Sequence, residues 1–144
     1  MAIEPRVRRR LLAAHHLLRF AGVAMLAAGL LWFGLTEAVA LWPSVAVMAA
    51  GAAVGCIALP FLARYETLRD PATRRAVRLL VAGSTLKLWA VPLVAVGGGL
   101  LSLGGAPGFP VALGLAGLGV AAYAYGILAR IDGVSLLPTG ADYA

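Results

Sequence analysis

The sequence is poor in charge and poorer still in acidic residues. Of its 144 residues only 12% are Asp, Glu, Lys or Arg, and six of these are acidic. No acid falls inside a long apolar stretch, which excludes a paired-carboxylate catalytic site and a chain of proton-relay acids there. The single cysteine, Cys56, excludes an intramolecular disulfide and is expected to be a buried thiol.

Other chemical motifs are also missing. His15 and His16 are adjacent, so on a helix they point about 100° apart and cannot hold one metal ion from the same face. No glycine-rich phosphate loop follows a strand, and residues 97–99, all glycine, are expected to loosen or end a helix. We therefore expect no enzyme activity and no catalytic, cofactor-binding or metal-binding site.

Hydrophobic residues dominate instead. They make up 62% of the chain, and the mean hydropathy is +0.93, which lies outside the range of soluble domains. Four apolar stretches are each long enough for the roughly 20-residue helix that crosses a hydrocarbon core about 30 Å thick. They cover residues 17–35, 41–62, 79–101 and 110–129. The sequence predicts a single all-α integral membrane domain, a four-transmembrane-helix bundle made of two parallel helical hairpins.

The segments outside the four spans differ in character. Residues 4–16 are basic, with apolar residues on one helical face, and are expected to lie along the membrane surface. Asp70 and Pro71 are typical of an N-cap followed by proline in the first turn, here of the third helix. Residues 132–144 contain two glycines and a proline and are expected to form an irregular tail.

Arginine placement predicts the orientation. Arginines cluster before the first span and between the second and third, whereas residues 36–40 and 102–109 contain no Lys or Arg. By the positive-inside rule both termini face the cytoplasm, and the expected location is the inner (plasma) membrane of a bacterium. The arginines expected to contact anionic lipid on the cytoplasmic side are Arg6, Arg9, Arg10, Arg74, Arg75 and Arg78.

An internal repeat is visible at an offset of 66 residues, where the second span aligns with the fourth, whereas spans one and three match poorly. Both aligned spans carry small residues at intervals of four, a spacing that favours close, right-handed helix crossing. A chance match in an alanine-rich background is the alternative. The residues predicted to pack helices together are Ala46, Ala50, Gly51, Gly55, Ala58, Ala112, Ala116, Gly117 and Ala124.

Lys87 is the most unusual residue of the chain. It follows Arg78 by nine residues, so it is expected roughly 13 Å below the polar surface, near the middle of the third span. Ser84 shares its helical face, and Trp89 lies on a roughly opposite face. In a structural role Lys87 snorkels toward the cytoplasm or bonds carbonyls freed near Pro92. In a functional role it meets an acidic group on a partner chain or lines a polar cavity.

Two functions follow from these features. The first is an accessory, stabilising or assembly subunit of a larger membrane complex, in which Lys87, Ser84 and Trp89 contact a partner. The second is a small oligomeric transporter or channel with Lys87 in a polar pathway. The expected partners are the lipid bilayer and other membrane subunits or further copies of the chain, with no nucleic acid.

Overall fold

The computed structural model describes residues 5–36, 41–69, 73–103 and 108–136. These residues form four helices: α1 (Pro5–Thr36), α2 (Leu41–Arg69), α3 (Arg74–Ser102) and α4 (Phe109–Ser135). By length and composition each helix is able to cross a membrane. The predicted all-helical fold with four long apolar helices is therefore confirmed.

The helix ends differ from the predicted spans. α1 runs without a break from Pro5, so the described part of the predicted surface segment is its first turns. α3 begins at Arg74, and the predicted cap at residues 70–71 lies outside the described residues. α3 also continues through the three consecutive glycines at residues 97–99, and α4 continues to Ser135, beyond the predicted start of the tail. The rest of that tail lies outside the described residues.

The helices are arranged as two hairpins placed side by side. α1 packs along α2, α3 packs along α4, and α2 joins the hairpins by packing against α3. Gly55 lies beside Leu88 and Gly99 beside Leu41, so α2 and α3 are antiparallel. Within the described residues α1 and α4 make little contact, which leaves the bundle open between them.

This arrangement gives the bundle two distinct ends. At one end, which we call the basic end, α1 and α3 begin and α2 and α4 finish. All six arginines predicted to contact anionic lipid lie toward this end and have exposed side chains. We call the opposite end, where α1 joins α2 and α3 joins α4, the loop end.

Each hairpin is held together by small residues spaced seven apart. A Cβ built on Gly22 would lie 2.7 Å from the carbonyl oxygen of Gly51, and one built on Gly51 would lie 2.8 Å from that of Gly22. Contacts this short are backbone to backbone and leave no room for a side chain. The facing pairs are His15–Ala58, Gly22–Gly51 and Gly29–Ser44 in the first hairpin, and Ala76–Gly133, Gly83–Gly126, Ala90–Gly119 and Gly97–Ala112 in the second.

The predicted packing ridges are only partly correct. Gly51, Gly55, Ala58 and Ala112 are buried as expected, and Ala116 is half-buried. The other four residues are exposed, and a Cβ on the glycine among them would meet nothing within 4 Å: Ala46, Ala50, Gly117 and Ala124. A four-residue step exceeds the 3.6-residue turn and so drifts around the helix, whereas a seven-residue step stays on one face, as in a coiled coil.

The helix contacts of the two hairpins correspond at an offset of 68 residues, whereas the sequences of the second and fourth helices match at 66. At the offset of 68 the facing pairs of the two hairpins coincide, and Gly51 corresponds to Gly119 rather than to the exposed Gly117. The first and third helices, which match poorly at 66, share nine identities over residues 6–29 at 68. For the first and third helices, the offset at which the sequences match is therefore also the offset at which the helix contacts correspond.

Substituting alanine for Gly51 and, separately, for Gly117 tests the contact register. Gly51→Ala should lower the free energy of unfolding by about 1 to 3 kcal/mol, since the added methyl would push α1 and α2 apart. Gly117→Ala should be neutral or stabilising by up to about 1 kcal/mol, because alanine favours helix and the site is open. Thermal unfolding of both variants in the same detergent makes the comparison, and equal losses would contradict the assigned register.

A candidate cationic site between the hairpins

A cavity of about 710 Å³ lies between the hairpins in the half of the bundle nearer the basic end. All four helices contribute to its wall, which is apolar except for a set of polar and charged side chains. The polar and charged lining residues are His15, His16, Arg19, Tyr65, Glu66, Ser84, Lys87 and Arg130. Volume and lining are those of a ligand pocket, in which a few polar groups orient a ligand within apolar walls.

Lys87 projects from α3 across α4. Its stem passes Gly126, whose missing side chain leaves the necessary space, and its ammonium lies 5.3 Å from the centre of the Tyr123 ring. A cation over an aromatic face is attracted by about 0.5 to 2 kcal/mol, depending on how dry the site is. Tyr123 was not predicted as a partner. It lies at the same level as Lys87 in the α3–α4 register, which the sequence alone did not reveal.

Arg130 enters the cavity from α4 by the reciprocal route. Its stem packs on Gly83 of α3, the residue that faces Gly126. One pair of glycines thus makes room for two long basic side chains, one from each helix. A larger residue in place of either glycine would push α3 and α4 apart. It would also displace the basic side chain that packs on that glycine.

Arg19 reaches the cavity from α1 at the level of Lys87. In the first hairpin Leu18 is level with Gly55, and Gly55 contacts Leu88 of α3. Arg19 and Lys87 therefore differ in level by about two residues, or roughly 3 Å along the helices. Arg19, Lys87 and Arg130 all line the same cavity. In the repeat with an offset of 68, Arg19 is the counterpart of Lys87.

The lining of the cavity is strongly positive. Three cationic side chains face one carboxylate, that of Glu66, among the described lining residues. Glu66 is 4% exposed and lies eleven residues along α2 from Gly55, so it is about 16 Å nearer the basic end than Lys87. It is too far from Lys87 to form an ion pair, so among the described residues Arg19 and Lys87 have no carboxylate at their own level.

His15 holds the first hairpin together at the wall of the cavity. Its side chain is 2% exposed, and its Nδ1 lies 2.9 Å from the carbonyl oxygen of Ala58 across the α1–α2 interface. The Nδ1–H tautomer donates this bond. The neighbouring His16 is exposed and makes a ring contact with His15. Among the described residues no group of three or more His, Cys, Asp or Glu is placed to hold a metal ion.

The residues predicted to act with Lys87 separate into two places. Ser84 lines the cavity with Lys87, as their shared helical face implied. Trp89 points away from it and is 41% exposed on the outer side of α3. Pro92 is buried inside α3, which continues past it. Cys56, expected to be buried, is half-buried.

A second cavity adjoins the first on the side of the loop end. Its volume is about 520 Å³, and its described lining exposes no polar surface. α1, α3 and α4 form its wall, with Leu30 and Phe33 on one side and Val120 and Tyr123 on the other. Lys87 lines the first cavity and Tyr123 the second, and the Lys87 ammonium lies 5.3 Å from the centre of the Tyr123 ring, so the two cavities are neighbours.

Comparison with known proteins assigns no family or function to the chain. The chain matches no protein-family model, and neither a curated protein nor a solved structure is similar to it.

Proposed function

We propose that the chain is an integral membrane protein that binds an anionic ligand in the cavity between its two hairpins. In this proposal four helices span the bilayer, and the termini and the basic end face the cytoplasm. Arg19, Lys87 and Arg130 hold the anion. The observation that carries the proposal is the convergence of three cations, from three different helices, on one cavity whose described lining contains a single carboxylate.

Electrostatic energy favours this function over a purely structural role. Insertion of a lysine at mid-membrane costs about 2.5 to 3.5 kcal/mol, and like charges nearby add to that cost. Contact with Tyr123 offsets part of it. A bound anion would remove the mutual repulsion of Arg19, Lys87 and Arg130 and would form charge-assisted hydrogen bonds, each worth about 1.5 to 3 kcal/mol.

The cavities argue for binding rather than for conduction of a hydrophilic ion. Polar lining ends at the level of Lys87 and Tyr123, and the described lining beyond is apolar toward the loop end. A hydrated anion moving past Lys87 would lose its polar contacts. The transporter hypothesis is retained in a narrower form, in which the cationic cavity is the binding site.

An accessory subunit of a larger complex is the second candidate, and Trp89 favours it. Tryptophan prefers the level of the headgroups, yet Trp89 is exposed only two residues from Lys87, midway along α3. Large aromatic side chains frequently anchor protein interfaces. In this role Trp89 packs against a helix of another membrane subunit while Lys87 faces the internal cavity.

The topology is tested by cysteine labelling in a Cys56→Ala background. We expect Ser135→Cys to react with a membrane-impermeant maleimide only after the cell interior is opened, and Gly108→Cys to react in intact cells. Both positions are exposed in the structure, so the reagent can reach them. The opposite labelling pattern would show that the termini face the outside. Labelling of both positions in intact cells would contradict the proposed four-span topology.

Anion binding is tested by titrating the purified chain with inorganic phosphate and following its unfolding temperature. A ligand that binds the folded state raises this temperature. Lys87→Gln should weaken phosphate binding about tenfold or more, because it removes a charge-assisted contact of at least about 1.4 kcal/mol. Arg74→Gln is the matched control, since Arg74 is exposed outside the cavity. Phosphate binding that is absent, or equal in the two variants, would refute the proposal.

The accessory-subunit role is tested with a photo-crosslinking amino acid at position 89 in native membranes. A subunit contact predicts one discrete protein crosslink at this position. The same amino acid at Leu113, an exposed position on α4, is the control and should crosslink lipid. Lipid crosslinks alone at both positions would remove the second candidate.

A further inference from the structure

We infer that the anionic ligand is a membrane lipid, whose phosphate lies among Arg19, Lys87 and Arg130 while one hydrocarbon chain occupies the apolar cavity. This inference rests on the proposed function and specifies the class of ligand. It uses two observations that anion binding alone leaves unexplained: the second cavity, and its position beside the first.

The arrangement of the two cavities matches the chemistry of such a lipid. One is lined by three cations, and the described lining of the other exposes no polar surface. The cations lie toward the basic end, and the apolar cavity extends from Tyr123 toward the loop end. A lipid whose headgroup faces the basic end has the same order of charged and apolar parts. A free inorganic anion would leave the apolar cavity without an occupant.

The dimensions of the apolar cavity agree as well. It reaches from the level of Lys87 to Gly98, eleven residues further along α3, or about 16 Å. The half of a hydrocarbon core about 30 Å thick that lies between Lys87 and the loop end has nearly this depth, so the cavity offers the length of one lipid chain whose phosphate lies near mid-membrane.

The gap between α1 and α4 supplies a route of entry. These two helices make little contact within the described residues, whereas every consecutive pair of helices packs extensively. A lipid can therefore enter sideways from the bilayer without separating a packed hairpin. Basic pockets between membrane helices on the cytoplasmic side are known to hold anionic headgroups.

The test compares lipids that differ only in headgroup charge. The full chain, purified in nonionic detergent, is offered equal amounts of phosphatidylglycerol and phosphatidylcholine with identical chains, and bound lipid is counted by native mass spectrometry. We expect one phosphatidylglycerol per chain, with a preference of about tenfold. Lys87→Gln and Arg19→Gln should abolish the preference, Lys87→Arg should retain it, and Arg74→Gln should leave it unchanged.

A second pair of variants locates the hydrocarbon chain. Gly98 lines the apolar cavity and has open space beside it, so Gly98→Leu should fill the cavity without disturbing helix packing. Phosphatidylglycerol binding should then fall about tenfold while inorganic phosphate binding stays unchanged. Gly114→Leu is the control, because Gly114 also has open space and lines neither cavity.

The possible outcomes separate the two proposals. Phosphate binding that depends on Lys87, together with equal binding of the two lipids, would overturn the lipid inference and leave anion binding intact. Phosphatidylglycerol binding that is unchanged by Gly98→Leu would also overturn it, because the chain would then lie outside the cavity. If Lys87→Gln changed neither phosphate binding nor the preference for phosphatidylglycerol, both proposals would be overturned.

Discussion

Close approach of helix backbones is the constraint on which the rest of the structure depends. Apolar helices in a bilayer gain no hydrophobic energy from association, so they need van der Waals contact over long, matched surfaces. In this chain small residues at seven-residue intervals supply those surfaces, and at Gly22–Gly51 and Gly83–Gly126 the contact is backbone to backbone. Because α1 and α4 lack such contact within the described residues, the bundle stays open on one side. The openness and the tight hairpins are consequences of the same distribution of small residues.

The same constraint places the charges. A lysine or arginine facing a neighbouring helix ordinarily forces the helices apart, but a glycine opposite its stem removes the collision. Gly126 does this for Lys87, and Gly83 does it for Arg130. Both side chains are half-buried and line the cavity, together with the exposed side chain of Arg19. Three like charges held in this way repel one another, and under the proposed function a bound anion would offset that repulsion.

The sequence predicted the helices well and their contacts poorly. Hydropathy and arginine placement located four apolar helices because burial in hydrocarbon requires long apolar runs, whatever their neighbours. Packing faces depend on register, and with 18 glycines in the chain many registers look acceptable. The four-residue ridges therefore placed Gly117 in a contact, although it is exposed. Lys87 was found because it interrupts an apolar run. Arg19 was missed because it lies near the start of one, and only the alignment at an offset of 68 pairs it with Lys87.

That offset also explains why the two hairpins, although built alike, do not contain equivalent sites. The counterparts of Gly83 and Gly126 in the first hairpin are His15 and Ala58, which are joined by a hydrogen bond instead of a glycine contact. The counterpart of Arg130 is Leu62. A long cation on α2 at that position would meet the His15 ring, so the first hairpin contributes Arg19 alone from its first helix. The second hairpin contributes both Lys87 and Arg130 through its paired glycines. The cationic cavity is asymmetric because only one hairpin has a glycine pair at the level where the long basic side chains must cross.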